Sequence, residues 1–218
     1  MSLPSLLGAL LLVATAEVNT QSVPWIAAQG AADFDGDAVP DEIRIETAHP
    51  TDIVDDLPCA GCGHRVEGVF AAVVALSRSK RAVSSPVALH EDGETLWFWH
   101  HDPAPLAIAD YNGDGRLEFN LGRFVNSNKW EYGLFTVGRD GRVTRLAKDA
   151  PEIYVAPGDE PSSRRIEVIP GGFRFHDFGN AGEIPGWWTF TCLWQRGAQK
   201  FACTDAPDPA AGKQAEHR

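Results

Sequence analysis

Asp33-Phe34-Asp35-Gly36-Asp37-Ala38-Val39-Pro40-Asp41 organises this chain, because its nine-residue pattern returns as Asp110-Tyr111-Asn112-Gly113-Asp114-Gly115-Arg116-Leu117-Glu118. Oxygen-bearing side chains stand at positions one, three, five and nine of both copies. A tight loop with an oxygen at every second residue can aim them all at one point. Such a set suits calcium, a hard cation that takes oxygen ligands, including backbone carbonyls. The side-chain ligands expected are Asp33, Asp35, Asp37 and Asp41 in the first copy, and Asp110, Asn112, Asp114 and Glu118 in the second. At position seven, Val39 and Arg116 are expected to add backbone carbonyls. Glycine at position four, Gly36 and Gly113, permits the positive φ of a chain wrapped around a small ion.

The loop is not an EF-hand. That motif needs a bidentate Glu at position twelve and a helix on each side, whereas position twelve is Arg44 or Leu121. Ile43-Arg44-Ile45-Glu46-Thr47 alternates apolar and polar, a strand pattern. Pro105 to Ala109 is short, apolar and Pro-bounded, and the second loop runs on into Phe119-Asn120-Leu121. The units therefore read as strand, calcium loop, strand. At these residues the chain resembles the FG-GAP/VCBS repeats, calcium-loop β-blades of secreted and cell-surface proteins whose loop reads D-x-[DN]-G-D-G-x-x-D. The second copy departs only at Glu118; the first departs at position six, where Ala38 replaces Gly. If that position needs a left-handed conformation, Ala costs about 1 kcal/mol there. The resemblance implies structural calcium in an exported β protein.

Length allows one domain with a real core, expected over residues 17–206. Leu3 to Ala16 is almost wholly apolar and ends in Ala14-Thr15-Ala16. It is too short to span a bilayer and fits a signal peptide over residues 1–16, with a periplasmic or secreted product. The formal net charge of -11, without a basic stripe, argues against nucleic acid as partner. Ser77 to Arg81 is the one basic cluster and reads as a solvated turn. In an exported chain the four cysteines suggest two disulfides. Cys192 and Cys203 flank a hairpin turning at Arg196-Gly197-Ala198. Cys59-Ala60-Gly61-Cys62 follows loop residues, which favours a small disulfide over a redox or zinc site.

Beyond Arg65 the pattern is almost entirely β. Val66 to Leu76 is apolar without clear period and fits a buried strand or a short helix, of which the strand is favoured. Hairpins are expected around Glu91-Asp92-Gly93, Gly138 to Gly141 and Pro170-Gly171. Asp177 to Glu183 reads as a third, metal-free copy of the loop, and the tail from Pro207 as disordered. The fold expected is all-β: a propeller-like array of few antiparallel blades, or a β-sandwich carrying calcium loops.

Catalytic signals are weak. His100, His101 and Asp102 stand together, but adjacent residues of a strand face opposite ways. His176-Asp177 has no nucleophile-elbow Ser. The aromatic run Trp187, Trp188, Phe190 and Trp194 suits either blade packing or a binding platform. The expected function is binding of another macromolecule without catalysis. One version is a periplasmic inhibitor or immunity protein acting on a peptidoglycan hydrolase. The rival is a carbohydrate-active hydrolase using His100, His101, Asp102 or His176.

Overall fold

The structure, a computed structural model, describes residues 23–55, 63–126, 129–146, 153–155, 161–179 and 186–208. The expected signal peptide, the Cys59–Cys62 pair, Asn180 to Glu183 and the tail beyond Asp208 lie outside them.

All the regular structure described is β, as the patterning predicts. Three antiparallel meanders of four strands carry the fold. The N-terminal meander is β1 (Trp25–Ala32), β2 (Asp41–Thr47), β5 (Phe70–Leu76) and β6 (Arg81–Val87). The middle one is β9 (Ile108–Ala109), β10 (Glu118–Asn126), β11 (Lys129–Val137) and β12 (Val143–Arg145), with β13 (Ile153–Val155) also pairing to β11. The C-terminal one is β14 (Glu167–Ile169), β15 (Gly172–Gly179), β16 (Gly186–Gln195) and β17 (Lys200–Pro207). A smaller sheet of β3 (Thr51–Val54), β4 (His64–Gly68) and β7 (Leu96–Trp99) uses segments inserted between these strands. The short β8 (Ala104–Pro105) pairs parallel to β1 and leads the chain into the middle meander.

Alternation along β11 explains the stacking. Phe135 and Val137 join Phe119 and Leu121 in one core with Ile43, Ile45, Phe70 and Val74 of the N-terminal sheet. Trp130, Tyr132 and Leu134, on the opposite face, join a second core with Phe173, Phe175 and Phe201 of the C-terminal sheet. The middle sheet is thus buried on both sides, and β11 is buried without a break from Trp130 to Phe135. Several antiparallel sheets packed face to face are consistent with a β-sandwich, and their strand order is also compatible with a propeller-like array of few blades.

Several local expectations change. Val66 to Leu76 is not one strand: β4 and β5 break at Val69 and enter different sheets. Glu91-Asp92-Gly93 does not close a hairpin, because β6 pairs with β5 and β7 with β4. Asp177 lies within β15 rather than in a loop. In the third meander the place between first and second strands is taken by the Pro170-Gly171 turn. β17 extends through Pro207, and the Asp208 N–H donates to the Trp187 carbonyl at 2.8 Å. The hairpins at Gly138 to Gly141, at Pro170-Gly171 and before Lys200 form as expected.

Candidate metal centres

Each acidic loop joins the first and second strands of its meander, β1 to β2 and β9 to β10. In the first loop, Asp33 Oδ1 accepts the Gly36 and Asp37 N–H groups at 2.8 and 3.0 Å, and Oδ2 accepts Ala38 N–H at 2.8 Å. Asp35 Oδ1 accepts Asp37 N–H at 3.1 Å, and Asp37 Oδ1 accepts Val39 N–H at 2.8 Å. Asp41 Oδ2 accepts Phe34 N–H at 3.1 Å. The second loop repeats every one of these bonds. Asp110 accepts from Gly113, Asp114 and Gly115 at 2.7, 3.1 and 2.9 Å. Asn112 Oδ1 accepts from Asp114, Asp114 Oδ1 from Arg116 and Glu118 Oε2 from Tyr111, each at 2.8 Å. Side-chain oxygens thus hold the turn by its N–H groups.

The positive φ angles fall where the spacing requires them: 83° at Gly36 and 66° at Ala38, 69° at Gly113 and 85° at Gly115. Ala38 therefore occupies a left-handed conformation at a cost Gly115 does not carry.

In the first loop, carboxylate oxygens of Asp33, Asp35 and Asp37 lie within 4.8 Å of one another. Asp37 Oδ2 is buried with no hydrogen-bond donor, and the Arg78 guanidinium lies 3.3 Å away as its counter-charge. Gathered carboxylates, one of them holding a buried oxygen without a hydrogen bond, fit a hard cation. The N–H of Ala38, followed by those of Gly36 and Asp37, holds the Asp33 carboxyl below its ordinary range. Burial pushes Asp35 up, and the charges of Asp37, Asp41 and Asp33 add to the shift.

The position-nine carboxylates lie deepest, with Asp41 and Glu118 both 0 % exposed. The second oxygen of Asp41 accepts Ser77 N–H at 2.8 Å, from the β5–β6 turn. Among the described residues Glu118 Oε1 accepts only from the Thr136 hydroxyl, at 3.4 Å. Burial pushes Glu118 up to about 8; the Asp114 and Asp110 charges add to this and the Tyr111 N–H opposes it.

The surroundings of the loops came from no local pattern. Arg78 and Ser77 belong to the basic cluster, which does form a turn, and their partnership with the first loop is a tertiary fact. The second loop docks on the neighbouring meander. A Cβ built at Gly113 would lie 3.1 Å from Gly171 Cα, and Arg196 Nη2 donates to the Gly113 carbonyl at 2.7 Å. Arg196 sits in the β16–β17 turn, where Cys192 and Cys203 face each other and form the expected disulfide. That bond belongs to an oxidising compartment. Among the described residues no helix is long and apolar enough to cross a membrane.

The catalytic candidates do not assemble together. His101 Nδ1 meets the Asp102 carbonyl, whereas His100, just beyond β7, stacks on His64. His176 Nδ1 faces both Thr189 Oγ1 at 3.0 Å and Asp208 Oδ2 at 3.3 Å. A hydrolytic triad needs nucleophile and acid on opposite ring nitrogens, so this trio lacks that arrangement. Asp177 pairs instead with Lys129 Nζ at 2.7 Å, and burial raises its carboxyl against the pull of that amine. Of the aromatic run, Phe190 stacks on Phe175 and Trp194 packs on Phe201, as structural residues do. Trp187 meets the half-exposed Phe178.

Compared with known proteins, the chain matches no family model, no curated protein and no solved structure.

Proposed function

We propose that this protein is an exported calcium-binding β protein of the FG-GAP/VCBS kind, in which both loops hold structural ions. Asp33, Asp35, Asp37 and Asp41 would hold one ion, and Asp110, Asn112, Asp114 and Glu118 the other, with the carbonyls of Val39 and Arg116. The observation that carries the reading is that the two loops, which share the nine-residue pattern, repeat one hydrogen-bond pattern bond for bond and that the first gathers three carboxylates within 4.8 Å. Calcium would supply charge neutralisation for carboxylates that otherwise repel, and so stabilise the folded loops. Calorimetric titration of chelator-stripped protein tests this. Two binding events, accompanied by a calcium-dependent rise in melting temperature, are expected. No heat and no change in melting temperature would leave the loops as acidic turns.

The finer reading is a non-catalytic binder of another macromolecule, in one version an inhibitor of a peptidoglycan hydrolase. It rests on analogy between folds and on the strong net negative charge, which favours a basic partner by steering and complementarity. Recovery of a stoichiometric hydrolase from a periplasmic extract would support it. Glycan turnover that is lost on His176→Ala would replace it with the enzymatic reading.

A further inference from the structure

Three side chains far apart in sequence meet at one end of the small sheet β3-β4-β7. In the β4–β7 pairing Arg65 stands opposite Trp99. The next residues outward, His64 and His100, are therefore lateral neighbours, and the His100 N–H donates to the His64 carbonyl at 2.9 Å. In the β3–β4 pairing Asp52 stands opposite Val66, one diagonal step from His64 on the same face. The two imidazoles stack with centroids 4.1 Å apart and planes 6° from parallel. His64 Nε2 lies 3.2 Å from Asp52 Oδ1, and the ligand-capable atoms of all three residues fall within 4.8 Å of one another. All three are exposed, while the Trp25 ring stands 6.3 Å from that of His100.

We propose that Asp52, His64 and His100 form a site for a divalent transition ion of the zinc class, separate from the calcium loops. Two imidazole nitrogens and one carboxylate oxygen are the donors of a borderline cation, whereas calcium takes oxygen alone. Around tetrahedral zinc, with bonds of about 2.0–2.1 Å, ligand atoms lie roughly 3.4 Å apart. Reaching that spacing requires only rotation of exposed side chains, because strand pairing already holds the three backbones in place. Three protein ligands leave the fourth position to water or to a donor from another molecule, the arrangement of an open site. The argument is independent of the calcium reading, since no loop residue takes part.

The probe is zinc alone, titrated calorimetrically into the full-length, non-reduced, calcium-loaded protein. One zinc per chain is expected, undisturbed by millimolar calcium. His64→Ala and His100→Ala should each weaken it by more than the roughly 10–100-fold that loss of an outer-shell partner costs. Asp52→Asn should weaken it less, while His101→Ala and the double variant Cys59→Ser/Cys62→Ser should leave it unchanged. X-ray absorption on the wild-type zinc complex should show nitrogen and oxygen at about 2.0–2.1 Å and no sulfur near 2.3 Å, a readout that does not depend on any variant folding. Absence of zinc binding, displacement by calcium, sulfur in the coordination shell, or full affinity in both histidine variants would overturn the proposal.

Discussion

The two acidic loops share one backbone design and differ in what surrounds them. The first gathers three carboxylates, Asp33, Asp35 and Asp37, holds Ala38 at φ 66° and draws its long-range support from Ser77 and Arg78 of its own meander. The second has Asn112 in place of one acid and Gly115 in place of alanine, and it leans on the next meander through Gly171 and Arg196. Its position-nine side chain is one methylene longer and less fully bonded, by one N–H and one distant hydroxyl against two N–H groups for Asp41. Local hydrogen bonds therefore define the loop, while tertiary neighbours set what disturbing it costs.

The largest expected effect is loss of a central ligand. Calcium at a hundredfold excess over Kd stabilises by about 2.7 kcal/mol. Asp114→Ala should lower the melting temperature far more in millimolar calcium than in chelator. Asp37→Ala should do so to a smaller extent, because strain at Ala38 makes the first site the weaker one. Equal or reversed effects in thermal melts would break that ranking, and charge count would then outweigh backbone strain.

Next comes the disulfide. Cys192 and Cys203 are 11 residues apart, and closing a loop of that length contributes roughly 2–3 kcal/mol in the chain-entropy model. Cys192→Ser/Cys203→Ser should destabilise the fold in denaturant titrations. It should also weaken calcium at the second loop more than at the first, because Arg196 reaches Gly113 from the turn that this bond closes. Equal weakening at both loops would show that the contact transmits nothing.

The effect of pH separates the loops by chemistry. Glu118, pushed up to about 8 from 4.5, favours the protonated folded form. In chelator its contribution to stability is full below pH 4.5 and is lost as pH rises through about 8. Glu118→Gln should flatten that part of the pH–stability curve, and calcium should reverse the wild-type slope by favouring the carboxylate. A wild-type curve that rises between pH 5 and 8 in chelator would contradict the assignment.

The smallest expected effect is at Ala38. Ala38→Gly should raise stability by up to about 1 kcal/mol by relieving the left-handed alanine, less the entropy glycine adds to the unfolded chain. Gly115→Ala in the second loop should cost a similar amount. Melting curves of the two single variants give both numbers, and opposite signs are the signature of one shared backbone conformation.

Much of this protein was determined by its sequence alone. Oxygens at every second position, with glycine at the turn, prescribe a loop held by its own side chains. Strand alternation in Ile43 to Thr47, the Pro170-Gly171 turn and the symmetric placing of Cys192 and Cys203 are equally short-range, so they were legible. What the tertiary structure decided lies beyond such reach. Periodicity could not show that Val66 to Leu76 divides between two sheets, because a buried apolar run reads alike whether or not it breaks at Val69. Nor could it show that Arg78 faces Asp37, that Arg196 caps Gly113, or that Asp52, His64 and His100 share one face. Each of those meetings depends on which strands pair and in what register, and pairing is set by how whole sheets bury their faces against one another.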